Sequence, residues 1–181
     1  DLVTVQMDPD YLLAYEVQKA SFGYLEMRGK ILGLNVLHML GRFPLESADK
    51  RNEANNEFNK YAEDHDSGIW ISGRSVLNLW RVMGGELKLQ SFDLGYVVEF
   101  ALNRRMPHYS NRLLKKWFKD DRKRGRVYAH LYQLAEVNMQ MMDKLDILRR
   151  NSEYARLYGI DFYSVLTRGS QFRVEACLIR I

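Results

Sequence analysis

The sequence predicts a mixed α/β domain in which helices outweigh strands. Three observations carry that prediction. Tyr11 to Val17 is an apolar and aromatic run bounded upstream by Asp8-Pro9-Asp10, the pattern of a strand entered through a turn. Ile69-Trp70-Ile71 is a second run of strand-forming residues, leading to Gly73-Arg74. Most of the remaining chain repeats apolar residues at helical spacing. The clearest stripe is Val127, Leu131, Leu134, Met141, Leu145 and Leu148, read as one long helix with Asn138 interrupting its apolar face.

Taken in order, the strand from Tyr11 gives way to a helix from about Ser21. Phe22, Leu25, Ile31 and Leu32 form its apolar side, Glu26, Arg28 and Lys30 its polar side, and Gly33 its end. A short helix over Val36 to Leu40 stops near Gly41 and Pro44. Between Glu46 and Gly68 polar residues dominate, with Phe58 and Tyr61 as the apolar exceptions, so 46–68 reads as a loop or insertion. After Gly73-Arg74 a helix is expected to carry Val76, Leu79, Trp80 and Met83, closing at Gly84-Gly85. Ser91 is the expected N-cap of a helix through Leu94, Val97, Val98 and Ala101. Pro107 and Ser110 open another, with Leu113, Leu114, Trp117 and Phe118 facing inward. Gly159 and Gly169 read as residues just past two helix ends, and a last helix covers about Ser170 to Ile181. No internal repeat or low-complexity tract occurs.

A chain of 181 residues with 46% apolar content can build one domain, or a little more, around a real core. No run of about 18 apolar residues occurs, so no membrane-spanning helix is expected. No secretory leader is read at the start, which has no initiator Met and reads as a piece of something longer. The lone cysteine, Cys177, has no internal disulfide partner, suits a reducing compartment and reads as a small buried helix residue.

The net charge of +4 permits contact with nucleic acid without demanding it. Lys115, Lys116, Lys119, Arg122, Lys123, Arg124 and Arg126 crowd one stretch, read as a solvated, flexible connection between helices rather than a phosphate site. His65 between Asp64 and Asp66 has no second ligand at useful spacing, so no metal is assigned to it. Most aromatic side chains fall on expected core stripes.

Asp8-Pro9-Asp10, the apolar run after it and Tyr15-Glu16-Val17-Gln18 resemble the second exonuclease motif of the family B DNA polymerases. There, Asp-Pro-Asp and a short strand lead through Tyr-Asn into Asn-Phe-Asp. Gly73-Arg74, Leu79-Trp80 and Leu87-Lys88-Leu89-Gln90-Ser91-Phe92-Asp93-Leu94 are similar to the family's run of Gly-Arg, a helix and Lys-Leu-x-Ser-Tyr-x-Leu. Glu153 to Ile160 and Leu166 to Gln171 look like the passage from the exonuclease domain into the polymerase palm. Tyr15 to Gln18, Ser21 to Leu25, Leu77 to Arg81, Asn138 to Met142 and Arg168 to Glu175 most resemble a translesion branch of the family that does not proofread.

The resemblance implies a ribonuclease H-like (DnaQ-like) 3′–5′ exonuclease fold, partial and helix-rich. It would comprise a degenerate exonuclease-like domain over 1–150 and a connection toward the palm over 151–181. It also implies that the nuclease ligands are lost. Glu16 stands at the family's Asn, and Ala20 and Ser21 stand at its Phe and metal-binding Asp. Counting back from Glu153-Tyr154-Ala155-Arg156, the Asp of the third motif falls at Leu134 and its Tyr at His130, a polar helix-face residue on this reading. The first motif would lie upstream of residue 1. Two-metal nucleases need several carboxylates converging on their ions. Neither serine nor leucine supplies one, so no catalytic residue and no metal are assigned here.

Arg168, Ser170 and Gln171 are the residues the resemblance assigns to DNA. The parent would be a nuclear DNA-directed DNA polymerase acting on template-primer, holding Mg²⁺ in its palm and an iron–sulfur cluster at a cysteine-rich site, with accessory subunits bound elsewhere. This segment would prop the polymerase core. Two other readings compete: an active exonuclease using Glu16 and Glu136 as unusual ligands, and a helical module binding another protein through exposed Trp and Tyr side chains.

Overall fold

A computed structural model describes residues 6–43 and 67–180. The polar stretch 46–66 and His65 lie outside the described residues. Two short strands, β1 (Tyr11–Ala14) and β2 (Ser75–Asn78), pair in parallel with Tyr11 opposite Ser75 and Ala14 opposite Asn78. Helix α1 (Val17–Ala20), α2 (Phe22–Ile31) and α3 (Val36–Met39) follow β1. After β2 come α4 (Leu79–Glu86), α5 (Leu94–Leu102), α6 (Asn111–Lys119) and α7 (Asp121–Lys144). The chain continues through α8 (Ile147–Tyr158), α9 (Phe162–Thr167) and α10 (Ser170–Ile179).

Successive strand side chains point to opposite faces of a sheet. Leu13 and Leu77 accordingly join the main core, with Tyr15, Leu79, Met83, Val97, Val98, Val137, Met141 and Ile147. Leu12, Ala14 and Val76 turn to a second cluster built on Val17, Ile69 and Ile71, with Phe22, Leu37 and Leu40 packed on it. Both faces of the parallel pair are thus covered, as such sheets require.

Several boundaries differ from the sequence reading. The first strand stops at Ala14 because Tyr15 turns into the core, where its hydroxyl donates to the Phe92 carbonyl at 2.8 Å; Val17 already belongs to α1. Ile69 to Ile71 is not a strand: Ile71 makes a single antiparallel bridge to Arg74 across a turn in which Gly73 has φ +76°. The strand is Ser75–Asn78, so Val76 belongs to β2 and the helix begins at Leu79. Asp93, not Ser91, caps α5, its carboxylate accepting from the Gly95 N–H at 3.2 Å. Gly169 opens α10 in an extended conformation, while Gly159, at φ +68°, ends α8 as expected.

The expected long helix ends at Lys144. Asp146 takes a left-handed φ of +51°, held by two hydrogen bonds from Arg149 Nε and one from Nη2, and α8 starts anew at Ile147. The buried stripe of α7 is Val127, His130, Val137 and Met141, with Leu134 half-buried and Leu131 exposed. That spacing of three and four residues is the seam of a helix packed on neighbours. His130 is therefore an inward residue: it is 7% exposed, and the Tyr109 ring meets it edge-on at 4.9 Å. Burial and the nearby His108 push its imidazole below the ordinary value.

The basic stretch is not a connection. It forms the outer side of α6 and the first turns of α7, joined through Asp120. Phe118 faces outward, and Trp70, Tyr96, Phe100, Tyr128 and Tyr132 are also exposed, so many aromatics lie off the core stripes. Cys177 is half-buried on α10. Residues 150 and 151 lie within α8, and Tyr163 and Leu166 of α9 pack on the main core. No helix among the described residues is long and apolar enough to cross a membrane.

Candidate functional site

The two acids ahead of β1 are spent on arginines. Asp8 sits at φ +40°, and its carboxylate accepts from Arg42 Nε at 2.7 Å and faces Arg74 Nη1 at 3.0 Å. Arg42 Nη2 donates to the Asp8 carbonyl at 2.8 Å and to Asp10 Oδ1 at 2.7 Å, and Nη1 to the Gly73 carbonyl at 3.1 Å. Arg74 also donates to the carbonyls of Leu40 and Pro9. The Ser75 N–H donates to the Asp10 carbonyl at 2.9 Å, so this clasp starts the parallel ladder. Arg42's hydrogen bond holds the Asp8 carboxyl below its ordinary value, and Asp8 and Asp10 in turn raise Arg42. The sequence blocks Asp-Pro-Asp and Gly-Arg thus meet in space, with Arg42 as the link that sequence reasoning missed.

At the other end of the strands, Ser21 lies between α1 and α2. Its hydroxyl donates back to the carbonyls of Glu16 at 3.0 Å and Val17 at 3.4 Å, closing the short first helix. Leu134 lies mid-way along α7. Glu16 is exposed, and the exposed Glu136 accepts from Gln140 one turn along at 3.1 Å. Among the described residues, no three His, Cys, Asp or Glu side chains are placed to hold a metal ion. A serine bonded to two backbone carbonyls and a leucine do not fit a two-metal nuclease pair, which needs carboxylate donors.

The residues that follow β1 and the last residue of β2 border a cleft of about 300 Å³, lined by Glu16, Gln18, Lys19, Asn78, Trp80 and Arg81 among others. Open α/β sheets place ligands at this end of their strands. Asn78 is 8% exposed, and its Oδ1 has no hydrogen-bond partner among the described residues. The sequence places Trp80 on a helix face and Leu77 to Arg81 in a family-like block but does not mark Asn78, Trp80 and Arg81 as cleft residues, because the apolar spacing of β2 reads as helix. Placing the strand at Ser75–Asn78 would have marked its last residue.

Arg168, Ser170 and Gln171 come together at the α9–α10 junction. Ser170 and Gln171 are exposed, Gln171 Nε2 donates to Glu175 Oε1 at 2.8 Å, and the Arg168 guanidinium lies 5.7 Å from the Phe172 ring centroid.

Residues 2–97 match the family model described as DNA polymerase family B, exonuclease domain. The chain belongs to that family. Similar relatives are the DNA polymerase zeta catalytic subunits of Mus musculus, 41% identical over 176 residues, and Homo sapiens, 40% identical over 176 residues. Each match covers 96% of this chain and 6% of the relative. The Arabidopsis thaliana DNA polymerase zeta catalytic subunit is 35% identical over 198 residues, covering 96% of this chain and 10% of that protein. The chain thus spans a tenth or less of the length of these relatives. Within the family's exonuclease domain, Tyr15 and the Arg42–Arg74 clasp do the work of architecture: one ties β1 to the segment before α5, the other ties it to β2.

Proposed function

We propose that this chain is a non-cleaving, ribonuclease H-like exonuclease segment of a nuclear translesion DNA-directed DNA polymerase, and that it supports the polymerase core and the DNA groove. The observation that carries the reading is the local bonding of Ser21, whose hydroxyl serves the Glu16 and Val17 carbonyls at the position where the resemblance places a metal-binding Asp. Leu134 at the second such position brings no charge. Nucleotide addition then belongs to palm residues of the parent outside this chain, where Mg²⁺ would be held, as would the iron–sulfur cluster and the accessory subunits at other sites. On the same reading residues 151–181 lead toward the palm, and Arg168, Ser170 and Gln171 face the template-primer. Exposed Ser170 and Gln171 at the first turn of α10 suit contact with a phosphate oxygen.

The test is single-stranded DNA degradation and primer extension by the parent polymerase with Mg²⁺ or Mn²⁺. Wild type is expected to extend primers and to remove no 3′ nucleotides. The Ser21→Asp/Leu134→Asp variant is expected to gain no cleavage and to lose stability, because the Leu134 change places a charge in a half-buried site without partners. Cleavage by wild type, lost in a Glu16→Gln or Glu136→Gln variant, would instead establish an active nuclease with atypical ligands.

A further inference from the structure

Helix α6 and the start of α7 border a shallow, open apolar groove of about 590 Å³. Its apolar lining is Leu114, Phe118 and the buried Val127, and its charged lining, which forms the rim, is Arg112, Lys115, Lys116 and Lys119, with no carboxylate among them. Among the described residues none of these four cations has an ion-pair partner. The acids nearest in sequence are engaged elsewhere: Asp120 caps α7 and pairs with Lys123, and Asp121 pairs with Arg124 at 2.6 Å. Phe118 is 50% exposed yet held in place, with the Arg124 guanidinium 5.5 Å from its centroid and the Tyr128 ring edge-on at 6.3 Å.

We propose that this groove docks an acidic, amphipathic helical segment of a separate partner protein, with apolar side chains on the apolar lining and carboxylates against the lysine rim. Three features select that occupant. The apolar lining is preformed, which suits the i, i+3, i+4 and i+7 anchors of an amphipathic helix. The rim is one-signed, so an acidic partner is attracted and a basic one repelled. Permanent cover by the same chain would strip water from adjacent unpaired lysines, which interface cores avoid, whereas a reversible partner leaves them at a solvated edge. DNA is less well matched. Two of the nearby guanidiniums, the groups best shaped for phosphate, lie over rings, Arg124 on Phe118 and Arg126 on Trp117 at 5.8 Å, which leaves the rim one guanidinium, Arg112, beside three lysines. This surface is separate from Ser21, Leu134 and Arg168, and the inference does not depend on their roles.

The experiment is fluorescence anisotropy with the full-length parent polymerase. The probe is a fluorescein-labelled glutamate-rich helical peptide bearing Leu and Phe at i, i+3, i+4 and i+7. Controls are the same peptide with Ser at those positions and a labelled single-stranded oligothymidylate. Wild type should bind the apolar peptide at least about tenfold more tightly than the serine peptide. A Lys115→Glu/Lys116→Glu/Lys119→Glu variant should weaken it by at least about tenfold, and added salt should weaken it in the wild type alone. Leu114→Ser, which leaves the charges in place, should also weaken it. Absence of peptide binding, equal binding of the serine peptide, or indifference to both variants would overturn the proposal. So would tighter binding of the oligonucleotide that is lost on charge reversal, which would make the surface a nucleic-acid site.

Discussion

Tyr15 shows how much one hydroxyl can fix. Its ring fills the main core while its O–H reaches the Phe92 carbonyl, tying the end of β1 to the residue just before the α5 cap. Burial raises the phenol above its ordinary value, so it remains a donor throughout the working pH range. Tyr15→Phe keeps the packing and leaves that carbonyl short of a partner. The expected cost is about 1–2 kcal/mol, read from the shift in a urea unfolding midpoint; a change below the error of the fit would show that water replaces the bond. Sequence reading reached Tyr15 as part of a motif but placed it inside the strand. A tyrosine is as common in strands as at their ends, and only the partner, far away at Phe92, decides between them. His130 and Leu131 were misjudged for a related reason: the apolar pattern alone did not reveal that polar His130 occupies the buried seam while Leu131 faces out.

The helices were the most legible elements, and α2, α3, α6 and α10 fall where the pattern places them, although the apolar side expected of α2 is open, with Leu25, Ile31 and Leu32 exposed. The short pieces were not. Three apolar residues such as Ile69 to Ile71 look alike as strand or as buried turn, and the spacing of Val76, Leu79 and Met83 mimics a helix across a strand–helix junction. The break after Lys144 was hidden because Leu145 and Leu148 continue the apolar pattern, while the cause is backbone geometry at Asp146. Gly73 is the decisive residue of the turn into β2. Its φ is +76°, and a Cβ there would stand 2.9 Å from Arg42 Cβ and from the Phe43 ring. Gly73→Ala should therefore destabilise by about 1–3 kcal/mol, lowering the thermal midpoint, whereas Gly84→Ala, in open space within α4, should not lower it.

Across the whole molecule, the clasp of Asp8 with Arg42 and Arg74 joins the segment before β1 to the chain after α3 and to the turn that leads into β2. Because the folded-state carboxyl is depressed, its contribution is fully present above the ordinary value of 3.8 and disappears as pH falls through the lower folded value. Acid titration of the urea midpoint should show a loss below pH 3.8, smaller in an Asp8→Asn variant because that step is already absent. Equal slopes for the two proteins would show that the clasp contributes nothing in solution. The sequence contained both halves of this device, Asp-Pro-Asp and Gly-Arg, as separate motifs. Arg74 joins them directly through Asp8 and the Pro9 carbonyl, and Arg42, which belongs to neither, bonds to both.

The parallel register of β1 with β2 also governs the order of assembly. Tyr11 and Ser75 are distant along the chain, so the ladder cannot form during synthesis until the second strand has emerged, whereas α6 with α7, or α8 with α9, can meet as soon as they are made. The entropy of closing a flexible span rises only logarithmically with its length, by about 0.6 kcal/mol for each doubling. The separation of the two strands along the chain therefore adds little to the thermodynamic cost of pairing them. A slip of one residue at either end is another matter, since it would exchange the two faces of the sheet and turn Leu13 and Leu77 out of the core.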